Sequence, residues 1–127
     1  MFLLDTHLLL WAAFEPTRLS AKAAVLLASR ESPLAFSLAN LWEVAIKTSL
    51  GRAGFSVDPA VLHRGLMSEG FVELPLRAQH LFRVASLPWI HKDPFDRLLV
   101  AQAAEEKITL LTADATLRRY GRFVKVV

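Results

Sequence analysis

Four acidic residues of this chain stand where an apolar segment meets a helical pattern: Asp5, Glu43, Asp96 and Asp114. Carboxylates crowded at short range repel one another and raise each other's pKa unless a cation neutralises them. Hard oxygen ligands of this kind suit Mg²⁺ or Mn²⁺. A divalent metal in an acidic cleft is in turn a common means of cleaving phosphodiester bonds. If the four residues converge, they predict a metal-dependent site for phosphate chemistry.

Taken singly, each of these acids also has a structural explanation. Asp5, Asp93 and Asp114 could each be the N-cap of a helix, and Asp96 could complete a capping box. Their joint placement favours the functional interpretation. Asp5 and Asp114 follow the first and fourth predicted strands. If these strands are neighbours, their carboxyl ends flank the point where α/β proteins form a cleft.

The middle of the chain brings further polar residues towards the same cleft. Ser37 ends the second predicted strand, and the next helix carries Asn40, Glu43 and Lys47 on one side, opposite its apolar stripe. The pair Glu43–Lys47 is also compatible with an ordinary i, i+4 surface ion pair, worth about 0.2–0.5 kcal/mol. The position of Glu43 nevertheless allows it to reach the rim shared by the other acids.

Short apolar segments alternate with helical patterns along the chain. The predicted strands are Phe2–Leu4, Leu34–Ser37, Val72–Leu74, Thr109–Thr112 and Phe123–Val126. They do not alternate strictly, as expected of strands buried on both faces of a parallel sheet. Helices are predicted between these strands and after the fourth, over residues 20–29, 38–50, 58–69, 77–85, 93–106 and 114–121. The alternation predicts an α/β fold, a single-domain three-layer α/β/α sandwich with a five-stranded, mostly parallel sheet.

Length and composition restrict the class of protein. The 127 residues suit one domain spanning the whole chain, residues 1–127. A hydrophobic fraction of 54% exceeds the usual ~45–50%. The excess fits either a dense core or an apolar surface patch, and because such patches usually mark interfaces we expect a homodimer. The net charge of +3 and the pI near 9.7 permit a nucleic-acid partner.

The absence of cysteine excludes disulfides, thiolate metal sites and cysteine nucleophiles. The first residues lack the basic region and the cleavage site of a secretory signal. The apolar run Leu8–Phe14 is far shorter than the ~20 residues that a bilayer-spanning helix needs. We therefore expect a soluble, cytoplasmic protein without a membrane partner.

Around the acidic residues the chain resembles the PIN-domain ribonucleases and, within them, the VapC-type toxins. The motifs that carry the resemblance occur in order over nearly the whole chain: Leu3-Leu4-Asp5-Thr6-His7, Ser37 to Lys47, Asp93 to Ala103, and Leu111-Thr112-Ala113-Asp114. The resemblance implies that Asp5, Glu43, Asp96 and Asp114 are the catalytic residues and hold Mg²⁺, for which Mn²⁺ could substitute. One departure is Asn40, where many relatives have a serine.

The resemblance also implies an endoribonuclease that cleaves RNA with a metal-activated water and acts as the toxin of a toxin–antitoxin pair. Its partners would be RNA and a small VapB-like antitoxin. Because arginine and lysine pair with carboxylates, we expect the antitoxin to insert a basic residue into the acidic pocket. Six residues are expected to support the metal site or contact RNA: Thr6, Ser37, Asn40, Lys47, Arg97 and Thr112.

Other residues near the acids receive a structural interpretation. Asp93 precedes a proline and is the natural N-cap, so Asp96 is expected to be the metal ligand. His7 and His91 are each interpreted as structural, because lone histidines are more often structural than ligands. Arg97 could bind phosphate or steady a neighbouring carboxylate.

Other classes of protein compete with the toxin. A PIN-type RNA-processing nuclease would use the same acids without an antitoxin. A receiver or phosphatase-type domain also places aspartates at strand ends. Receivers, however, need two adjacent acids after the first strand and phosphatases need Asp-x-Asp, whereas Asp5 is followed by Thr6 and His7. A catalytically silent binding module is disfavoured by the complete set of acids.

Overall fold

Parallel strands form the centre of the molecule. The computed structural model describes residues 1–51 and 54–127. Within them a five-stranded sheet contains β1 (Phe2–Leu4), β2 (Leu34–Ser37), β3 (Val72–Leu74), β4 (Thr109–Thr112) and β5 (Val124–Val126), in the order β3-β2-β1-β4-β5. Every neighbouring pair is parallel. The predicted α/β fold with a parallel sheet is confirmed.

Helices pack on both faces of this sheet. They are α1 (Thr6–Phe14), α2 (Ala21–Ser29), α3 (Leu38–Ser49), α4 (Pro59–Ser68), α5 (Ala78–Ser86) and α6 (Pro94–Glu106), and a 3₁₀ helix at Pro16–Arg18 follows α1. The predicted N-caps Ser20, Asp58 and Asp93 each accept a hydrogen bond from the first turn of their helix. No helix in the described ranges is both long enough and apolar enough to cross a bilayer.

The segment after β4 differs from its prediction in two details. Ala115–Tyr120 forms a 3₁₀ helix rather than an α-helix, because the Leu117 N–H bonds to the Asp114 carbonyl three residues back (3.2 Å). β5 begins at Val124 rather than Phe123. Phe123 lies in a turn that is closed by the hydrogen bond from the Val124 N–H to the Gly121 carbonyl (3.2 Å).

Alternate strand residues enter two separate hydrophobic cores. Leu4 and Leu111 belong to the core formed with α1, α2 and α4, whereas Leu3 and Leu110 belong to the core formed largely with α6. α3 contributes to both cores. Since successive strand residues point to opposite faces, the central strands are buried on both sides. This arrangement confirms the three-layer α/β/α sandwich.

The strand order brings distant parts of the chain to one edge of the sheet. β1 pairs with β4 in register, Leu4 opposite Leu111, so the condition for a shared cleft, that the first and fourth strands are neighbours, is met. The Asp5 N–H extends this pairing by bonding to the Leu111 carbonyl (3.0 Å). Because parallel strands share their direction, Asp5, the start of α3 and Asp114 all emerge at the same edge.

Candidate active site

Asp5 lies at the turn from β1 into α1, where its carboxylate is buried. Its Oδ1 accepts a hydrogen bond from the Leu8 N–H (2.9 Å) and therefore caps α1. Its Oδ2 accepts a second hydrogen bond from the Thr112 hydroxyl at the end of β4. Burial raises the pKa of Asp5, and the charge of Glu43 adds to this effect, although the hydrogen bonds and nearby His7 oppose it. Asp5 is both a helix cap and a fixed carboxylate at the sheet edge.

Glu43 is buried on α3, with only 3% of the residue exposed. Its Oε2 lies 2.7 Å from Lys47 Nζ. Its Oε1 is buried without a hydrogen-bond partner in the described part of the chain. Leaving such an oxygen unpaired costs about 1–3 kcal/mol, and more when it is charged. The interpretation of Glu43–Lys47 as an ordinary surface pair is therefore wrong, because the carboxylate is inside the protein.

Asp96 lies in the first turn of α6, three residues after the cap Asp93. Asp93 Oδ1 accepts hydrogen bonds from the N–H groups of Phe95 (2.8 Å) and Asp96 (3.1 Å). The Asp96 carboxylate makes no hydrogen bond with any residue in the described ranges, and its Oδ2 lies 3.7 Å from His91 Nε2. Burial raises the pKa of Asp96 to about 7, with further contributions from the charges of Asp93, Asp5 and Glu43. His91 lowers this pKa, but burial and the neighbouring anions outweigh it.

Asp114 follows β4 and completes the acidic group. Its Oδ1 caps the 3₁₀ helix by accepting from the Thr116 N–H (2.9 Å), and its Oδ2 pairs with His91 Nε2 (3.1 Å). Desolvation raises the pKa of Asp114, but the hydrogen bonds from Thr116 and His91 outweigh it and lower the pKa below its ordinary value. Three potential ligand atoms, one each from His91, Asp96 and Asp114, lie within 4.8 Å of one another. This spacing could hold a metal ion.

The polar residues around the acids form a buried framework. Asn40 Oδ1 accepts from the Ser37 N–H (2.7 Å) in a capping box, and Asn40 Nδ2 donates to the Thr6 hydroxyl (3.0 Å). The Thr112 hydroxyl also accepts from the Asp114 N–H (3.0 Å). Thr6, Ser37, Asn40 and Thr112 are all buried. Thr112 contacts Asp5 and Asp114 directly, and the other three residues bond to one another at the same edge of the sheet.

Arg97 has a structural role. Its guanidinium donates to the carbonyls of Pro88 (3.0 Å) and Val84 (3.3 Å), and it lies 3.9 Å from the centre of the Trp89 ring. None of its hydrogen bonds to described residues reaches a carboxylate. Arg97 is buried, and a contact with RNA stays a prediction for this residue. The side chain fixes the connection between α5 and α6.

Sequence reasoning missed the positions of His91 and Tyr120. The His91 N–H donates to the Tyr120 hydroxyl (3.0 Å), which also accepts from Arg97 Nη1 (3.2 Å). His91 lies directly beside Asp96 and Asp114 although the sequence suggested a structural histidine. The available signal was its position two residues before the cap Asp93.

Two grooves flank the α1 side of the molecule. A mainly apolar groove of about 680 Å³ runs between α1, α2 and α4, and its walls include Phe14, Leu27, Ala28 and Gly65. A second groove of about 570 Å³ includes Thr6 and Lys47 and shares Phe14 with the first. The two grooves adjoin at Phe14, and the second contains Lys47, which pairs with Glu43.

Comparisons with known proteins agree with this geometry. A family model described as the PIN domain matches residues 2–123. A direct sequence comparison with curated proteins gives no match.

Among solved structures, the chain is similar to a chain of VapBC2 from Rickettsia felis bound to a DNA fragment from its promoter (TM-score 0.69, 17% identity, 99% of this chain and 96% of that chain). It is also similar to a toxin–antitoxin complex from Klebsiella pneumoniae (TM-score 0.67, 18% identity, 99% and 97%). A third similar structure is FitAcB from Neisseria gonorrhoeae (TM-score 0.61, 20% identity, 91% and 89%). At these identities the likeness establishes the fold.

Proposed function

The chain belongs to the PIN-domain family, and from that premise we propose that it is a Mg²⁺-dependent endoribonuclease and the toxin of a toxin–antitoxin pair. The observation that carries the nuclease proposal is the buried, unpartnered Oε1 of Glu43. A buried anionic oxygen of this kind is stabilised by a cation. The same site holds Asp96, whose pKa is raised to about 7 by burial and by the charges of Asp93, Asp5 and Glu43.

A divalent cation suits the residues present. Asp5, Glu43, Asp96 and Asp114 offer only oxygen atoms, the ligands that Mg²⁺ and Mn²⁺ prefer. When bound, the cation would supply the Lewis acidity that phosphodiester hydrolysis requires.

Neighbouring residues of the chain hold the carboxylates in orientations suited to binding a cation. The Thr112 hydroxyl and the Leu8 N–H hold Asp5 in one orientation, and Lys47 holds one oxygen of Glu43. Since burial raises the pKa of Asp96 to about 7, this carboxyl holds its proton more tightly than an ordinary aspartate does. It would release its proton when a cation binds, because only the deprotonated form is a good ligand.

An exposed basic segment supports RNA as the substrate. Arg118, Arg119 and Arg122 are exposed and follow shortly after Asp114. Cationic side chains beside the acidic pocket would bind the phosphates on either side of the cleaved bond. A cytoplasmic location would give the protein access to this substrate.

A requirement for the cation is the direct test of the nuclease. Protein purified free of any partner should cleave single-stranded RNA, lose this activity in EDTA and regain it with Mg²⁺ or Mn²⁺. Asp5→Asn should lower the rate at least 100-fold, because asparagine still caps α1 but carries no charge. Asp58→Asn is the matched control, since Asp58 caps α4 through the Ala60 N–H. Cleavage that survives thorough chelation contradicts the proposal.

The grooves support an antitoxin partner. Two of the similar structures are described as a VapBC complex and a toxin–antitoxin complex. A flexible antitoxin segment could place apolar side chains in the groove between α1, α2 and α4 and order on binding. The second groove, which includes Thr6 and Lys47, would lead an arginine or lysine to the carboxylates. A PIN nuclease without an antitoxin is the alternative.

Exposed apolar side chains support a homodimer. Leu81, Phe82 and Trp89 are all more than half exposed, Trp89 by 81%. Large exposed apolar residues of this kind are typical of protein interfaces. Light scattering of the purified protein tests the dimer, and a monomeric mass at micromolar concentration contradicts it.

A further inference from the structure

His91 is held from both ends beside two of the acids. Its backbone N–H donates to the Tyr120 hydroxyl (3.0 Å). Its Nδ1 accepts from the Asp93 N–H (3.1 Å). Its Nε2 lies 3.1 Å from Asp114 Oδ2 and 3.7 Å from Asp96 Oδ2. The ring therefore has little freedom to turn away from these carboxylates.

The hydrogen bond to Nδ1 determines which nitrogen carries the proton. A backbone N–H is always a donor, so Nδ1 of His91 must offer its lone pair to Asp93. In the neutral ring the proton then resides on Nε2, which faces Asp114. A nitrogen that carries a proton has no lone pair for a metal. Although the spacing of His91, Asp96 and Asp114 would suit an ion, His91 is a hydrogen-bond donor in this arrangement and not a ligand.

Asp114 depends on such a donor more than Asp5 does. It is the most exposed of the four, with 40% of its side chain accessible, and its Oδ1 is already engaged as the cap of a short 3₁₀ helix. In contrast, Asp5 is fixed by Leu8 and Thr112. Without His91, Oδ2 of Asp114 would have no hydrogen bond to a described residue.

We infer that His91 is a positioning residue, whose Nε2–H holds the Asp114 carboxylate beside Asp96 so that this side of the metal site is formed before a cation binds. The inference rests on the proposed function, because it assumes that Asp96 and Asp114 bind the cation. Removal of a residue that hydrogen-bonds to a metal ligand and orients it typically weakens metal binding about 10–100-fold.

Three substitutions at His91 distinguish the role of Nε2 from the role of Nδ1. His91→Gln keeps an N–H donor near the position of Nε2 and loses the acceptor for the Asp93 N–H. His91→Asn keeps that acceptor but is too short to reach Asp114. His91→Ala removes both groups. Binding of Mn²⁺ is measured by electron paramagnetic resonance of the free ion, and thermal melting reports the fold of each variant.

We expect His91→Gln to bind Mn²⁺ within about threefold of the wild type, and His91→Asn and His91→Ala to bind about 10–100-fold more weakly. His63→Ala serves as the control, since His63 pairs with Glu73 (2.6 Å) away from the site. Equal affinity of all the variants, or weak binding by His91→Gln and His91→Ala with normal binding by His91→Asn, would overturn the inference. The second result would show that His91 acts only through the Asp93 turn.

A spectroscopic measurement separates positioning from ligation. Electron spin-echo modulation of bound Mn²⁺ detects directly coordinated imidazole nitrogen, and we expect no such nitrogen signal in the wild type. A signal that disappears in His91→Gln would overturn the inference by showing that His91 is a ligand. If the wild type and Asp96→Asn both fail to bind Mn²⁺, the proposed function fails together with this inference. If the wild type binds, Asp96→Asn does not, and the His91 variants bind normally, this inference alone fails.

Discussion

Asp93 and Asp96 lie three residues apart but face different partners. Asp93 accepts hydrogen bonds from two N–H groups of α6, and asparagine can make the same bonds. The Asp96 carboxylate makes none with the described residues, so asparagine at this position breaks no hydrogen bond. We predict that Asp96→Asn lowers RNA cleavage at least 100-fold, whereas Asp93→Asn retains most of it. Cleavage rates at saturating Mg²⁺ test this, and the opposite order of activities would show that Asp93 is the ligand.

The raised pKa of Asp96 predicts how the stability of the metal-free protein depends on pH. Its pKa rises from 3.8 to about 7 on folding, so between these values the folded state binds the proton more tightly than the unfolded state. The stabilisation is complete below pH 3.8 and is lost as the pH rises through 7. In EDTA, Asp96→Asn should therefore be more stable than the wild type at pH 8, by roughly 2–4 kcal/mol, and much less so at pH 5.

Urea unfolding of both proteins at the two pH values measures this difference. Addition of Mg²⁺ at pH 8 should stabilise the wild type and leave Asp96→Asn almost unchanged. A difference between the two proteins that is the same at pH 5 and pH 8 would contradict the assigned environment of Asp96.

At this scale the sequence predicted the acidic residues but not their surroundings. Asp5, Glu43, Asp96 and Asp114 were selected by residue type and by their position near strand and helix junctions. Burial of Glu43 and of Arg97 depends on segments that are distant in the chain, which spacing alone does not report. His91 was undervalued for the same reason, because its partner Asp114 lies 23 residues later.

Among the elements, the connection between α5 and α6 depends on one side chain. Arg97 donates to carbonyls at Pro88, Val84 and Leu87, and lysine cannot reproduce this planar set of donors. We predict that Arg97→Lys lowers the free energy of unfolding by about 2–4 kcal/mol. The control is Arg83→Lys, because Arg83 pairs with Glu105 at the surface and such pairs contribute about 0–1 kcal/mol. Chemical denaturation measures both, and equal losses would contradict this role of Arg97.

The sequence predicted most elements because their end signals are local. Ser20, Asp58 and Asp93 mark helix starts by side chains that bond within their own first turn. The segment after Asp114 was predicted less well. Capping by Asp114 fits an α-helix and a 3₁₀ helix equally, and only the short distance to Gly121 and β5 restricts it to the tighter form.

At the scale of the whole molecule, the groove and the acidic pocket should be separable. We predict that this protein expressed alone arrests bacterial growth and that its antitoxin restores it. Ala28 is exposed and lines the apolar groove, so Ala28→Trp would fill the space for the antitoxin without contacting the acids. The variant should remain an active nuclease and resist rescue, with at least tenfold weaker binding of the antitoxin.

Val25→Trp provides the matched control, since Val25 is exposed on the same helix and is not among the residues that line this groove. Growth in liquid culture and calorimetric titration with the purified antitoxin measure the two effects. If the protein expressed alone is harmless while its nuclease is active in vitro, the toxin proposal fails and an RNA-processing nuclease replaces it.

The order of the strands in the sheet could not be predicted from the sequence pattern. Periodicity identified five apolar segments but could not show that β1 lies between β2 and β4, since pairing depends on packing between distant segments. The resemblance to PIN-domain proteins implied the fold that periodicity alone did not determine. The grooves were seen only in the structure.

The central position of β1 affects when the acidic site can form during synthesis on the ribosome. The Thr112 hydroxyl that orients Asp5 lies 107 positions further along the chain, and β4 must emerge before β1 gains its second neighbour. At about 5–20 residues per second, translation of that interval takes roughly 5–20 s. Throughout this time the nascent chain holds Asp5 without Thr112 or Asp114. The proposed nuclease is therefore withheld until translation has passed residue 114, so that each new copy is inactive while it is being made.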